Sequence, residues 1–220
     1  AAVLLIGAMT FLYIKSKGGD IARHGAIVDQ VSSLKKVDAL LIEELIETRF
    51  RMLLNYDRVA ASVNDLKRGS EGLGHDLRSS GGREEIPSWQ DFRSAVEHKI
   101  DIVEDFKSHN AVFHNLMDYF PTLVGQFDRE RTLRESEGER WDSGDIVQRL
   151  LREMLIFNVS GGPEHHAAAK AQIDVLKGLT GNVGERERQF LEDIARHAEL
   201  ILKYRLAVDG LLGAAYAVDL

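Results

Sequence analysis

The stretch from Trp89 to Phe120 carries a line of mostly apolar side chains at alternating steps of four and three, and this line limits the possible folds most strongly. Its members, here called the 92–120 seam, are Phe92, Val96, Lys99, Val103, Phe106, Asn110, Phe113, Met117 and Phe120. Side chains at this spacing share one face of a helix and pack against neighbouring helices. The stretch is therefore predicted to be one long packed helix.

Asn110 lies in the middle of this seam, between Phe106 and Phe113. A buried amide without hydrogen-bond partners costs about 1–3 kcal/mol. Two interpretations follow. Asn110 either fixes the register of its helix, as buried asparagines do in coiled coils, or belongs to a polar pocket.

Composition favours an all-α protein that can bury a core. The chain has 220 residues, of which 44% are hydrophobic and only 3 are proline. Its long segments show helical rather than alternating periodicity. The net charge is -7 without a run of Lys or Arg, which argues against a nucleic-acid partner. The absence of cysteine excludes disulfides, thiol catalysis and thiolate metal sites.

The first fourteen residues, AAVLLIGAMTFLYI, are apolar or small and are followed by Lys15 and Lys17. A complete membrane helix needs about 20 such residues. We interpret residues 1–17 as a truncated transmembrane segment. The alternatives are the apolar core of a signal peptide and a short buried helix.

Helical periodicity and breaking residues divide the rest of the chain. Gly18-Gly19 is predicted to precede a helix over 20–55, and Asp57 to begin a second. Pro121 is predicted to end the seam helix near Phe120 and to open a short helix to about Leu133. Further helices are predicted over 145–158, over 164–179 and from Glu185 to the end. The charged, Gly-containing stretch 135–144 then separates a first module, 20–134, from a second, 145–220, with the first long helix open to sharing between them.

The last helix repeats the spacing of the seam. Each position from Phe190 to Val218 on its four-three line lies 98 residues after a member of the seam. Val208 thus corresponds to Asn110, and Arg205 corresponds to Lys107. Any two amphipathic helices share such a register, so coincidence is the alternative. Together with the similar segments Leu53-Leu54-Asn55 and Ile156-Phe157-Asn158, the repeat favours two tandem related helical modules.

No motif for catalysis, a cofactor or a metal is present. The patterns GxxxxGK[ST], GxGxxG, HExxH and GxSxG do not occur. His165 and His166 are adjacent, so they point to different faces of a helix and make a poor metal site. The segment is therefore not expected to be an enzyme or to hold a cofactor.

Polar residues at buried-looking positions are the candidates for ligand binding. Lys107, Asn110 and His114 lie within about 60° of one another around a helix with 100° per residue. Arg49, Asn55 and Tyr56, at the end of the first long helix and in the junction after it, complete the set. The alternative is that Lys107 and His114 reach solvent while Asn110 is structural.

Two segments resemble a known family. LIETRFRMLLNYDRVAASVNDL (Leu45 to Leu66) and VEDFKSHNAVFHNLMDYFPTL (Val103 to Leu123) are similar to the double all-helical ligand-binding (DAHL) sensor domain of bacterial sensor histidine kinases. The sequence departs from the expected pattern at Met117, near which a serine is expected, and at Arg58, where a proline is expected after Asp57.

The resemblance implies a ligand-sensing input domain on the periplasmic or outer side of the bacterial cytoplasmic membrane. It would bind a small molecule and pass a conformational signal through its terminal helix to a histidine kinase. Two alternatives stay open: docking of a periplasmic solute-binding protein, and the ligand domain of a chemotaxis receptor. Homodimerisation also stays open, with the exposed face of the last helix as the expected interface.

Overall fold

The fold is all-α, as predicted from the sequence. The computed structural model describes residues 2–53, 55–79 and 87–220, with only the backbone for 2–24, 79, 87 and 88. These residues form long helices and no β-strand. The helices are α1 (Ala2–Arg49), α2 (Asp57–Ser79), α3 (Pro87–Ser136), α4 (Gly144–Ser160), α5 (Pro163–Leu179) and α6 (Glu185–Ala217), with a 3₁₀ turn (Thr180–Asn182) between α5 and α6.

The helices pack into two compact units. Unit 1 comprises Ala1–Glu104 and Leu212–Leu220, and unit 2 comprises Asp105–Leu211. Each unit contains one helical hairpin, α1 with α2 in unit 1 and α4 with α5 in unit 2. The long helices α3 and α6 each give residues to both units. This grouping differs from the modules predicted at 20–134 and 145–220, which describe a sequence repeat and stay a prediction.

The 92–120 seam is buried as predicted. Eight of its nine members are buried, and Phe92 is half-buried. The corresponding line of α6 is less deeply packed, because buried Ile194, Ile201, Val208 and Ala215 alternate with half-buried residues. The seam therefore identifies the face through which α3 contributes to the core of each unit.

Pro121 does not end α3, so the predicted end near Phe120 and the separate helix after it are wrong. A proline inside a helix removes one backbone hydrogen bond and crowds the carbonyl of the residue four before it, at a cost of about 3 kcal/mol. Beyond it Leu123, Val124 and Phe127 are buried. Full burial of such a side chain contributes about 1.5–3 kcal/mol. Packing therefore outweighs the local preference and α3 continues to Ser136.

α1 ends at Arg49, earlier than the predicted residue 55. Arg51 adopts the left-handed conformation, with φ at 60°, which interrupts the helix. The amide of Met52 then donates to the carbonyl of Glu47 at 2.8 Å. As a consequence, Leu53 and Asn55 lie beyond the helix and do not end it, unlike Ile156-Phe157-Asn158 within α4.

The start of α1 also differs from prediction, because the backbone stays helical through Gly18-Gly19. The predicted transmembrane segment at 1–17 lies outside the residues whose side chains are described. Among the described residues, no helix combines the length and the apolar character needed to cross a membrane.

Candidate functional site

A groove between α2 and α3 is the candidate binding site in the described part of unit 1. Its volume is about 540 Å³, and pockets of roughly 300–1,000 Å³ hold small molecules in proteins. The groove is lined by Lys67, Ser70, Glu71, Gly74, Arg78, Trp89, Arg93, Glu97, Ile100 and Asp101.

Helical spacing explains why these residues share one groove. On α2, apart from the adjacent residues Ser70 and Glu71, the lining residues follow one another by three or four positions, so they form a single stripe along that helix. On α3 the steps are four, four and three or four, which again gives one stripe. Each wall of the groove is therefore one face of one helix.

Gly74 allows Trp89 to line the groove close to the backbone of α2. A Cβ atom at position 74 would lie 2.5 Å from Cζ2 of Trp89, so a larger residue would displace the indole. The indole also stacks on Phe92, with ring centroids 5.6 Å apart. Trp89 borders a second cavity of about 390 Å³ as well, which includes Ile27 and Leu73 among its mainly apolar lining. The indole thus separates a polar groove from an apolar one.

The groove carries charges of both signs. Arg93 Nε donates to Glu97 Oε1 at 2.8 Å along α3. Within the described part of the chain, no ion pair is formed by the other charged lining residues, Lys67, Glu71, Arg78 and Asp101. These four side chains are exposed and remain available to a bound molecule.

A buried ion pair lies directly behind the groove. Lys99, next to the lining residue Ile100, is 1% exposed, and its Nζ contacts Oδ1 of Asp38 at 2.6 Å. This pair joins α3 to α1. A buried ammonium is tolerated only when it is paired, so the contact ties the position of α3 to that of α1.

A second buried polar cluster joins the other end of α1 to α2. Ser62 Oγ donates to Glu44 Oε2 at 2.7 Å, and both residues are buried. The guanidinium of Arg58 contacts Glu44 at 3.3 Å and Glu47 at 3.1 Å. The hairpin of unit 1 is therefore held by charge-assisted hydrogen bonds as well as by apolar packing.

Three of the predicted ligand-binding residues lie in unit 2. Asn110 is completely buried, whereas Lys107 and His114 are half-buried. Asn110 follows His109, whose ring lies 5.6 Å from that of Tyr204 on α6. Arg205, the next residue of α6, is also buried. The interior of unit 2 therefore contains a buried amide from α3 and a buried guanidinium from α6, each from the residue that follows a member of this ring pair.

Arg205 is held by contacts within unit 2. Its Cζ lies 5.6 Å from the ring centroid of Phe157, and it forms an ion pair with Asp209. Its Nη2 lies 3.0 Å from the position of a Cβ at Gly161, the residue that caps α4 with φ at 64°. A cation at this end of α4 is favoured by the helix dipole.

The other three predicted residues lie in unit 1. Burial lowers the pKa of Arg49 to about 10, so its guanidinium is charged at neutral pH. Asn55 is exposed, and its Oδ1 accepts a hydrogen bond from the Asp57 amide at 3.4 Å. Tyr56 is half-buried. The six residues are thus divided between the units, and their role in ligand binding stays a prediction.

The groove itself was not among the predicted sites. Its signal in the sequence is the stripe from Lys67 through Glu71 and Gly74 to Arg78, where a glycine interrupts a charged helix face. A glycine in the interior of a helix costs about 1 kcal/mol relative to alanine, which indicates a close approach by another group.

Comparison with known proteins identifies a family. The family model described as the DAHL domain matches residues 19–220, nearly the whole chain. No curated protein and no solved structure matches the chain.

Proposed function

We propose, because this chain belongs to the DAHL domain family of sensor domains, that it senses a small molecule for a membrane-bound signal-transduction receptor. In this proposal the domain faces the periplasm or the cell exterior. A sensor histidine kinase receives its signal through the terminal helix. The groove between α2 and α3 is the observation that supports small-molecule binding, because it has a suitable volume, an aromatic lining residue and charged walls.

The buried pair of Lys99 and Asp38 provides a route for the signal within unit 1. A ligand between α2 and α3 contacts Ile100 and Asp101, which lie within the unbroken helix α3. A shift of α3 would move Lys99 and, through the 2.6 Å contact, Asp38 on α1. The ligand biases this movement only if it binds one arrangement more tightly than the other.

Ligand binding can be tested by blocking the groove. The 220-residue chain is screened by thermal shift against a library of small polar metabolites, beside Glu71→Trp, which places an indole in the groove. Asp91→Trp is the matched control, because Asp91 is an exposed residue of α3 that does not line the groove. We expect hits that stabilise the wild type and Asp91→Trp but not Glu71→Trp. Hits that stabilise all three proteins equally would place the site elsewhere.

The receptor context needs the full-length protein. In membrane vesicles, a ligand that binds in the groove is expected to change the rate at which the receptor's histidine kinase phosphorylates its own histidine. Glu71→Trp is expected to abolish that change. A chemotaxis receptor would instead alter the activity of a separately added kinase. A kinase histidine motif in the sequence of the full-length protein would distinguish a histidine kinase from a chemotaxis receptor.

Docking of a periplasmic solute-binding protein is a second candidate function, supported by an apolar patch on α4. Leu155, Ile156 and Val159 are 44%, 36% and 77% exposed, and they lie within about one turn of the helix. In the full-length receptor, Val159→Asp would abolish the response under this alternative while leaving ligand binding by the purified chain intact. An unchanged response in Val159→Asp would contradict docking through this patch.

A further inference from the structure

We infer that the groove between α2 and α3 takes a zwitterion, a small molecule with an ammonium, a carboxylate and an apolar group, as in an apolar α-amino acid. This inference rests on the proposed function and adds the chemical class of the ligand. It follows from the order of the charges along the two walls and from the indole of Trp89 beside them.

The contact between Gly74 and Trp89 sets the levels of the two walls. Gly74 is five residues before the end of α2 and Trp89 is two after the start of α3, so the helices run in opposite directions along the groove. Counted from this contact at 1.5 Å per residue, Glu71 and Arg93 lie about 4.5 and 6 Å away. By the same count Lys67 and Glu97 lie about 10.5 and 12 Å away.

By this count, residues of opposite charge lie at similar levels on the two walls. Glu71 on α2 is level with Arg93 on α3 to within about 1.5 Å, and Lys67 is level with Glu97 to the same extent. In the described part of the chain, neither of these pairs forms an ion pair across the groove, and Arg93 pairs along its own helix with Glu97. A molecule lying between the walls can therefore contact an acidic and a basic residue at the same level.

The balance of charge argues against a simple ion. The lining includes three basic residues, Lys67, Arg78 and Arg93, and three acidic residues, Glu71, Glu97 and Asp101. A plain carboxylate would gain from the basic groups but lie beside the acidic ones, and a plain amine would meet the reverse. A molecule that carries both charges pairs with both sets without this repulsion.

Trp89 accounts for the apolar part of the ligand. Its indole lines the groove next to the level of Glu71 and Arg93, and it contacts Phe92 and the backbone at Gly74. An amino acid whose charged groups lie near Glu71 and Arg93 directs its side chain about 4.5–6 Å along the helices, towards the indole. A large apolar or aromatic side chain fills this distance and stacks on the ring.

The test is isothermal titration of the 220-residue chain with the twenty L-amino acids. Each amino acid that binds is compared with its decarboxylated amine and its deaminated acid. For L-phenylalanine these are phenethylamine and 3-phenylpropionate. We expect at least one amino acid with an apolar side chain to bind, and both singly charged analogues to bind at least about tenfold more weakly, since each leaves one set of charges unpaired.

Neutral variants link this binding to the groove. Glu71→Gln and Arg93→Met are each expected to weaken binding of that amino acid by about tenfold or more. Arg196→Met, an exposed residue of α6 in unit 2, is the matched control and is expected to bind as the wild type does. The inference is overturned if no amino acid binds, if the amine or acid binds as tightly, or if the two groove variants bind normally.

The outcomes also separate this inference from the proposed function. A neutral or singly charged metabolite that binds the wild type but not Glu71→Trp would overturn the zwitterion and leave ligand sensing in place. An amino acid that binds in the groove without changing the output of the full-length receptor would support the ligand class and contradict the sensing role.

Discussion

Lys99 is a charged residue in a mostly apolar seam, and it is nevertheless buried in the core. It stands at a seam position and is 1% exposed, and its ammonium contacts the carboxylate of Asp38 at 2.6 Å. Burial of two charges is costly, so such a pair adds little net stability compared with apolar side chains. Its effect is to fix which residue of α3 meets which residue of α1.

Removing the carboxylate should be more harmful than removing the ammonium. Asp38→Asn leaves the ammonium of Lys99 buried without a counter-ion and is expected to destabilise the chain by about 3–5 kcal/mol. Lys99→Met should cost less, because Asp38 is 19% exposed and remains partly hydrated. Urea unfolding measures both. The exposed pair of Arg93 and Glu97 is the control, and Arg93→Met should leave stability nearly unchanged.

Glu153 on α4 gives the protein a pH dependence in unit 2. A hydrogen bond from His165 at 2.9 Å, helped by Arg152, lowers the pKa of Glu153 below its ordinary value of 4.5. Because this pKa is lower in the folded state than in the unfolded state, ionised Glu153 stabilises the fold fully at pH values above 4.5. This stabilisation is lost as the pH falls through the pKa of Glu153 in the folded state.

The stability difference between wild type and Glu153→Gln should therefore be constant from neutral pH down to about 5 and shrink towards zero in more acid solution. Thermal unfolding across this range measures it. His165→Leu is expected to behave like Glu153→Gln, since leucine has no donor for this hydrogen bond. A difference that grows as the pH falls would contradict the assignment.

At the scale of elements, sequence signals located most helices correctly. Glycine and proline around residues 161–163 and Gly184 delimit α4, α5 and the start of α6 within about two residues of prediction, as breaking residues usually do. They failed at Pro121, where burial of Phe127 and its neighbours outweighs the local preference. They failed again at Arg51, because nothing in an arginine indicates a left-handed backbone.

Two glycines of α2 provide a direct test of how α2 meets α3. Gly72 has open space where a Cβ would be, whereas a Cβ at Gly74 would meet the indole of Trp89 at 2.5 Å. Gly72→Ala is expected to stabilise the chain by up to about 1 kcal/mol through helix propensity. Gly74→Ala should fail to stabilise and should alter the near-ultraviolet circular dichroism of Trp89. Equal stabilisation by both substitutions would show that the indole moves freely.

At the scale of the whole molecule, α3 and α6 each supply residues to both compact units. The charged groove could not be read from periodicity, because exposed charged stripes also occur on ordinary solvated helices. A charged helix face lines a groove only when a second helix lies at a suitable distance from it. That distance depends on packing between residues that are far apart in the sequence. The buried seam, by contrast, follows from spacing within one helix.

Shared helices should make the two units unfold together. Trp89 lies in unit 1 and Trp141 in unit 2, and the chain contains 2 tryptophans. Trp141→Phe therefore reports on unit 1 by fluorescence, and Trp89→Phe reports on unit 2. In urea, each variant is expected to show a fluorescence transition that coincides with its own loss of helical circular dichroism. Separate transitions would show that α3 can melt in one unit while it stays folded in the other.

The fit of the indole against the backbone of α2 has an evolutionary consequence. Any side chain at position 74 would occupy space that the six-membered ring of Trp89 now fills. Among related sequences, replacement of this glycine should therefore accompany replacement of the tryptophan by a smaller residue. Positions 74 and 89, which are fifteen residues apart in the chain, are therefore expected to covary in an alignment of the family.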